Sequence, residues 1–237
     1  MSAQLRDEDM VDTVSWSSSN PTGEINRKGK EMKASLEDKA AKTTGTVAIH
    51  AGTLLELLEG VITHAGKDKS LPLLNTISIV SEGDQVIAKA TDRYRLIEGK
   101  VEQVENMAGS LPATVIPVDD AKKIIALAKA AKGINIFMTI ERDGDRVTAR
   151  YLDQEVSFRA FDGTYPPTDQ LWPAEDQPRV ALANITLNPS FFADYAKIVG
   201  KKGSVTIEFI DEKKPIIIGL EGNKVTWRAL LMPMRKA

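Results

Sequence analysis

One order of strands and helix comes three times along the 237-residue chain, and a repeated supersecondary unit restricts a fold more tightly than composition does. "GTVAIHAG" alternates about Val47 and Ile49, the period of a half-buried strand. "TLLELLEGVITHAG" follows as a helix with Leu54, Leu57, Leu58, Val61 and Ile62 on one face. "NTISIVSEGDQVIAKATD" reads as two strands around a Glu82-Gly83-Asp84 turn, and "RYRLIEGKVE" as one more. The order βαβββ returns in "ATVIPV", the helix "DDAKKIIALAKAAKG", the hairpin "INIFMTIERDGDRVTARYL" and the strand "EVSFRAFD". There the spacing predicts Asp119 or Asp120 as N-cap, Gly133 as C-cap and a turn at Asp143-Gly144. The third occurrence predicts a strand in "RVALANITLN" and a helix opening at Pro189 in "PSFFADYAKIVGKK". Three strands follow in "SVTIEFIDEKKPIIIGLEGNKVTWRALLMPM", with turns near 211–214 and 221–223.

The class predicted is α+β, built from three βαβββ units. Between the second and third, "FDGTYPPTDQLWPAEDQPR" holds four prolines and reads as a stiff connector. Residues 1–44 are polar and lack a sustained period, so they read as a mostly disordered arm with a short helix near 31–41.

The remaining composition excludes more than it identifies. No apolar run approaches the roughly 18–20 residues of a membrane span, and the N-terminus lacks a signal pattern. A cytoplasmic protein without membrane contact is expected. The absence of cysteine removes disulfide and thiol chemistry. No phosphate-binding glycine motif, HExxH or CxxC is present, and His50 and His64 have no partner at metal-ligand spacing. No enzymatic activity and no cofactor are expected. The net charge is −2, so nucleic acid would need a local basic patch.

Four stretches together resemble the bacterial DNA polymerase beta sliding clamp family. "PLLNTISIVSEGDQVIAKATDRYRL" and "FDGTYPPTDQLWP" resemble the family's middle domain and its exit, "LNPSFFADYAKIV" a helix of its last domain, and "LLMPMRKA" its Met-Pro-Met-Arg ending. A family chain has six βαβββ halves. On that resemblance residues 45–173 correspond to a complete middle domain, 174–179 to a linker, and 180–237 to the second half of the last domain. The chain then resembles a reduced clamp of the sort a phage might carry.

The resemblance implies a ring that encircles duplex DNA without reading its bases, with basic side chains on the inner helices. The candidates are Lys67 and Lys69, with His64, ending the first helix; Lys122, Lys123, Lys129 and Lys132 on the second; and Lys197, Lys201 and Lys202 on or after the third. Asp119 and Asp120 should weaken that contact locally. It also implies a groove for polymerase and clamp-loader peptides carrying Leu and Phe anchors. Its lining would be Leu74, Thr91, Arg93, Tyr94, Arg95, Leu96, Pro166, Leu171, Leu230 and Met232, continued by Asn188, Phe191 and Met234 with Arg235 at the rim. Arg93 and Tyr94 stand where the family typically has glycine and histidine. Core packing is the other reading of Leu74, Leu96, Leu171 and Met232.

An odd number of halves leaves one unpaired, with an exposed sheet edge and half a helix pair. The expectation is that the 180–237 halves of two chains join into one domain, and that two such dimers close a four-chain ring. The alternative is a clamp-like protein that does not encircle DNA and binds a host clamp or its peptide ligands.

Overall fold

The first two repeats each place their first strand in the other's sheet, and that exchange determines the architecture. The computed structural model describes residues 44–68, 70–105, 107, 109–134, 136–174, 176–178, 185–200, 203–211, 214–221 and 224–234. The arm expected over 1–44 lies outside them except for Thr44, as do Lys69, Lys201, Lys202 and Arg235.

The first repeat comprises β1 (Gly45–His50), α1 (Ala51–Ile62), β2 (Thr76–Glu82), β3 (Gln85–Thr91) and β4 (Arg95–Glu102). The second comprises β5 (Thr114–Pro117), α2 (Val118–Lys132), β6 (Phe137–Asp143), β7 (Arg146–Tyr151) and β8 (Gln154–Arg159). In the third, α3 (Ser190–Val199) precedes β9 (Ser204–Glu208), β10 (Ile216–Glu221) and β11 (Thr226–Leu231). A four-stranded sheet runs β1-β6-β7-β8, and a seven-stranded sheet runs β5-β2-β3-β4-β11-β10-β9. All pairings are antiparallel.

The core lies between the sheets and the helices. Leu54, Leu57, Leu58 and Val61 of α1 meet Ala121, Ile124 and Ala128 of α2, all fully buried. Burying a Leu or Ile side chain stabilises by about 1.5–3 kcal/mol, so this stripe anchors the first two repeats. The third repeat docks through Trp227, which the register sets opposite Gly99. A Cβ on Gly99 would lie 2.5 Å from the indole and one on Gly60 of α1 would lie 2.4 Å from it. Two glycines from one repeat thus form the slot that holds a tryptophan of another.

Several local expectations need correction. Asp119 and Asp120 do not cap α2: β5 runs straight into the helix, Pro117 takes the cap position, and the aspartates fall in the first turn. There they favour the positive end of the helix dipole. The first helix ends at Ile62, which puts His64 and Lys67 in the loop after it. In the third repeat the described residues before α3, 185–188, are not in a strand, and the rest of that expected strand lies outside the described residues. Gly83 and Gly144 take φ values of 57° and 60°, the left-handed backbone the two predicted hairpin turns require.

Candidate functional site

Between β3 and β4 the chain reverses in three residues. The Asp92 carboxylate accepts the backbone N–H groups of Tyr94 and Arg95 at 3.1 and 3.0 Å. Thr91 Oγ1 donates to the Arg95 carbonyl at 2.8 Å and accepts from the Arg93 N–H at 3.2 Å. This closure forces Arg93 to a φ of 79°, a conformation that disfavours any residue with a Cβ. Glycine suits such a position, which gives a backbone reason for the residue the resemblance leads one to expect there.

Arg95 ties this turn to the third repeat. Its guanidinium donates to Asp92 at 3.0 Å, to Asp194 of α3 at 2.6 Å and to the Thr63 carbonyl at 2.7 Å, and it stacks 4.5 Å from the Phe191 ring. Only 7% of Arg95 is exposed, so its charge depends on these partners. Burial alone would raise the Asp194 carboxyl, but hydrogen bonds from Arg95 and Lys197 hold it below the usual carboxylate range.

Beneath lies His64, fully buried against Tyr195 with ring centroids 5.4 Å apart. Thr63 Oγ1 gives its proton to the Gly60 carbonyl, so His64 Nδ1 is the donor in their 2.8 Å contact. Burial, reinforced by the Arg95 charge, pushes the imidazole down to about 3 and keeps it neutral. His64 is therefore a structural residue, not one of a basic surface.

A cleft of about 590 Å³ opens over this node. Leu71, Leu74, Arg93, Tyr94 and Phe191 line it, with Lys67, Asp68 and Lys197 around it. Leu74, Arg93, Tyr94, Arg95 and Phe191 of the predicted groove are thus brought together. Tyr94 is 58% exposed and its ring faces the Arg93 guanidinium at 5.8 Å.

Thr91, Leu96 and Leu230, and the connector that carries Pro166 and Leu171, lie on the opposite face of the seven-stranded sheet. Leu96 lies across from Thr91 on one side and Leu230 on the other, all three buried. Two positions along the same face, Glu98 is 1% exposed and accepts a two-pronged contact from Arg228 at 2.6 and 2.7 Å and a 3.2 Å contact from Lys89. The proline-rich connector crosses this face: Asp169 pairs with Lys89, and Trp172 stacks 4.0 Å from Arg228. It brings half-buried Pro166 and exposed Leu171 with it. Core packing therefore describes Leu96 and Leu230, whereas Leu171 and Met232 remain 49% and 39% exposed.

The chain end links the two parts. Met232 N–H donates to the Tyr94 carbonyl at 2.9 Å, extending the β4–β11 ladder by one residue. Met234 N–H donates to the Thr186 carbonyl at 2.8 Å. Asn188, just ahead of the Pro189 cap of α3, accepts from the Ser190 backbone and hydroxyl at 3.0 and 2.8 Å. The exposed methionines thus flank Tyr94 and the start of α3.

The basic candidates divide differently from the expectation. Lys67 and Lys197 border the cleft, and Lys197 pairs with Asp194 at 3.1 Å. On α2, Lys122 and Lys123 each pair at 2.7 Å with Asp119 and Asp120, and Lys129 pairs at 2.8 Å with Glu59 of α1. Lys132 lies near the start of α1 with Lys224. The sequence reading missed Asp194, Glu98 and Trp227. The i,i+3 spacing of Asp194 and Lys197 was visible, but their tertiary partner Arg95 was not.

The sequence pattern of the DNA polymerase III beta subunit, central domain, matches residues 48–167. The beta sliding clamp of Synechococcus elongatus is 24% identical over 181 residues, covering 75% of this chain and 46% of that protein. The beta sliding clamp of Synechocystis is 27% identical over 133 residues, covering 52% of this chain and 34% of its own length. The chain thus spans less than half the length of these curated relatives. Among solved structures, the beta subunit of DNA polymerase III from Thermotoga maritima superposes with a TM-score of 0.66 at 18% identity, covering 81% of this chain and 66% of that one. The sliding clamp of Pseudomonas aeruginosa gives 0.67 at 13%, covering 82% and 68%. With half of its length matched by that central domain, the chain belongs to the DNA polymerase III beta subunit family, the sliding clamps.

Proposed function

We propose that this protein is a processivity factor: an oligomer that encircles duplex DNA and tethers a replicative polymerase through a peptide groove. The observation that carries the reading is the β4–β11 seam. There two repeats become one continuous sheet, and the turn at Asp92–Arg95, helix α3 and the Met232–Met234 segment converge beside it. Flexible, exposed methionines next to a rigid aromatic suit a groove that accepts several peptides. Peptide anchors would take the Leu171–Met232 side, which the buried Leu96 and Leu230 support from beneath, and the Tyr94–Phe191–Met234 side. Residues 45–173 act as one clamp domain and 180–237 as half of another.

The third repeats of two chains join to complete a domain. Val205 and Ile207 on the outer strand β9 are 38% and 37% exposed, and α3 buries only Tyr195 fully. A second copy covers that apolar surface. Two such dimers supply the six domains of a ring.

Topological retention is the decisive experiment. Protein loaded on nicked circular duplex should stay bound through a high-salt wash and be released when the circle is cut. Equal loss from circular and linear DNA sinks the encircling reading.

One observation favours the second reading, a clamp-like protein that binds a clamp or its peptide ligands without encircling DNA. The three described helices set Glu56, Glu59, Asp119, Asp120 and Asp194 against Lys122, Lys123, Lys129, Lys132 and Lys197, so they carry no net charge. Such helices release few counterions, and direct DNA affinity should depend only weakly on salt.

A further inference from the structure

β8 closes the second repeat as β11 closes the third. β11 pairs along β4 and so joins two repeats into one sheet. Among the described residues β8 is the outer strand of the four-stranded sheet, paired on one side only, with β7. Val156 and Phe158 pack against the core, while Glu155, Ser157 and Arg159 are exposed.

The charges on that exposed face are incompletely matched within the chain. Arg159 lies directly across from Arg146, a like-charge pair of the kind that destabilises a sheet. It reaches Asp145 in the adjoining turn at 2.7 Å. Glu155 lies across from Arg150, whose guanidinium contacts Glu141 at 3.5 Å instead. Among the described residues Glu155 makes no ion pair.

We propose that β8 is an interface for a second copy of this chain: two β8 strands pair antiparallel about a two-fold axis through Ser157. In that register Ser157 faces its symmetry mate, Val156 faces Phe158, and Glu155 faces Arg159, the latter two pairs each occurring twice. The apolar pairs stay on the core side and the opposite charges on the solvent side. A slip of one residue sets Glu155 against Phe158 and turns the faces over. A slip of two leaves Glu155 facing Ser157 and Gln154 facing Phe158. A strand that only guards its edge repels its own copy with charges of one sign. β8 instead carries opposite signs at positions that a two-fold axis superposes. The proposal goes beyond the ring reading and does not require it.

The chain contains no cysteine, so Ser157→Cys in the full-length protein introduces a single thiol on the axis. Mild oxidation should give a disulfide-linked dimer, because directly opposed Cβ atoms lie about 4.5–5.5 Å apart. Thr148→Cys, one strand further from the axis on each side, should remain monomeric on a non-reducing gel. Absence of the cross-link in the Ser157→Cys variant, or equal cross-linking of the Thr148→Cys variant, overturns the proposal.

Charge reversal gives an independent reading by sedimentation velocity without DNA. Glu155→Arg and Arg159→Glu should each weaken self-association about tenfold or more, since each turns two attractive pairs repulsive. The double variant should restore it. Single variants that associate like the parent, or a double variant that stays weak, overturn the register. A protein that pairs through β8 yet slips from circular DNA keeps this interface and loses the ring.

Discussion

Trp227 of β11 occupies the space left by the absent side chain of Gly99, its direct cross-strand partner on β4. The contact holds the third repeat against the first. Gly99→Ala and Gly60→Ala should each destabilise the protein by about 1–3 kcal/mol through overpacking. Thermal denaturation measures the loss, and restored stability in Gly99→Ala combined with Trp227→Phe would identify the slot as its source.

The Arg95–Asp194 pair couples the Asp92–Arg95 turn to α3. Asp194→Ala leaves a buried guanidinium short of a partner and should cost about 1–3 kcal/mol. Because Phe191 stacks on Arg95, the same variant should weaken binding of a peptide with Leu and Phe anchors. Unchanged peptide affinity in the folded variant would separate the turn from the groove.

Arg93 holds a left-handed backbone against its Cβ. Arg93→Gly should raise stability by about 1 kcal/mol, seen as a shift in denaturant midpoint without a change in slope. Loss of stability instead would mean that the Arg93 side chain contributes more than its backbone costs.

Removing residues 232–237 takes away the exposed Met232 and Met234 but leaves β11 intact through Leu231. Peptide binding should be abolished, and the circular dichroism spectrum should keep the content of both sheets. Persisting affinity would refute the placement of the groove at the chain end.

Stability should depend on pH through His64. Its folded value of about 3 lies below the ordinary imidazole value of about 6.5. Between these limits the unfolded chain binds a proton that the folded chain does not. Stability is complete above about pH 6.5 and falls as pH drops, by at most ~1.4 kcal/mol per pH unit. Asp194 acts in the opposite sense of charge: its contribution is present above about pH 4 and fades below it. Chemical denaturation between pH 6.5 and 4.5 therefore isolates the imidazole, and His64→Phe should flatten the slope there.

The repeats were legible because period and turn chemistry are local. Alternation around Val47 and Ile49, the helical stripe from Leu54 to Ile62, and the Gly83 and Gly144 turns each depend on neighbours within a few residues. The family resemblance drew Arg93, Tyr94, Arg95 and Phe191 together, and the structure places them around one cleft. What alternation concealed was the partner. Glu98 occupies an ordinary strand position, and its shortest ion pair is with Arg228, far along the chain, beside the nearer Lys89 and Lys100. The capping assignment failed for a similar reason. Asp119 and Asp120 carry the right chemistry, but Pro117, with φ at −56°, already fixes the helix start.

The exchange of first strands has a consequence for how the protein is made. β1, at residues 45–50, hydrogen-bonds to β6, at 137–143, while β5 pairs back onto β2. A nascent chain that has emerged only through its first repeat holds neither complete sheet. Its first strand has to wait, unpaired and apolar, for most of the second repeat to be synthesised. Folding therefore depends on contacts of long sequence separation, which form slowly. A break in translation between the repeats would release a fragment with an open sheet edge, a substrate for chaperones and proteases.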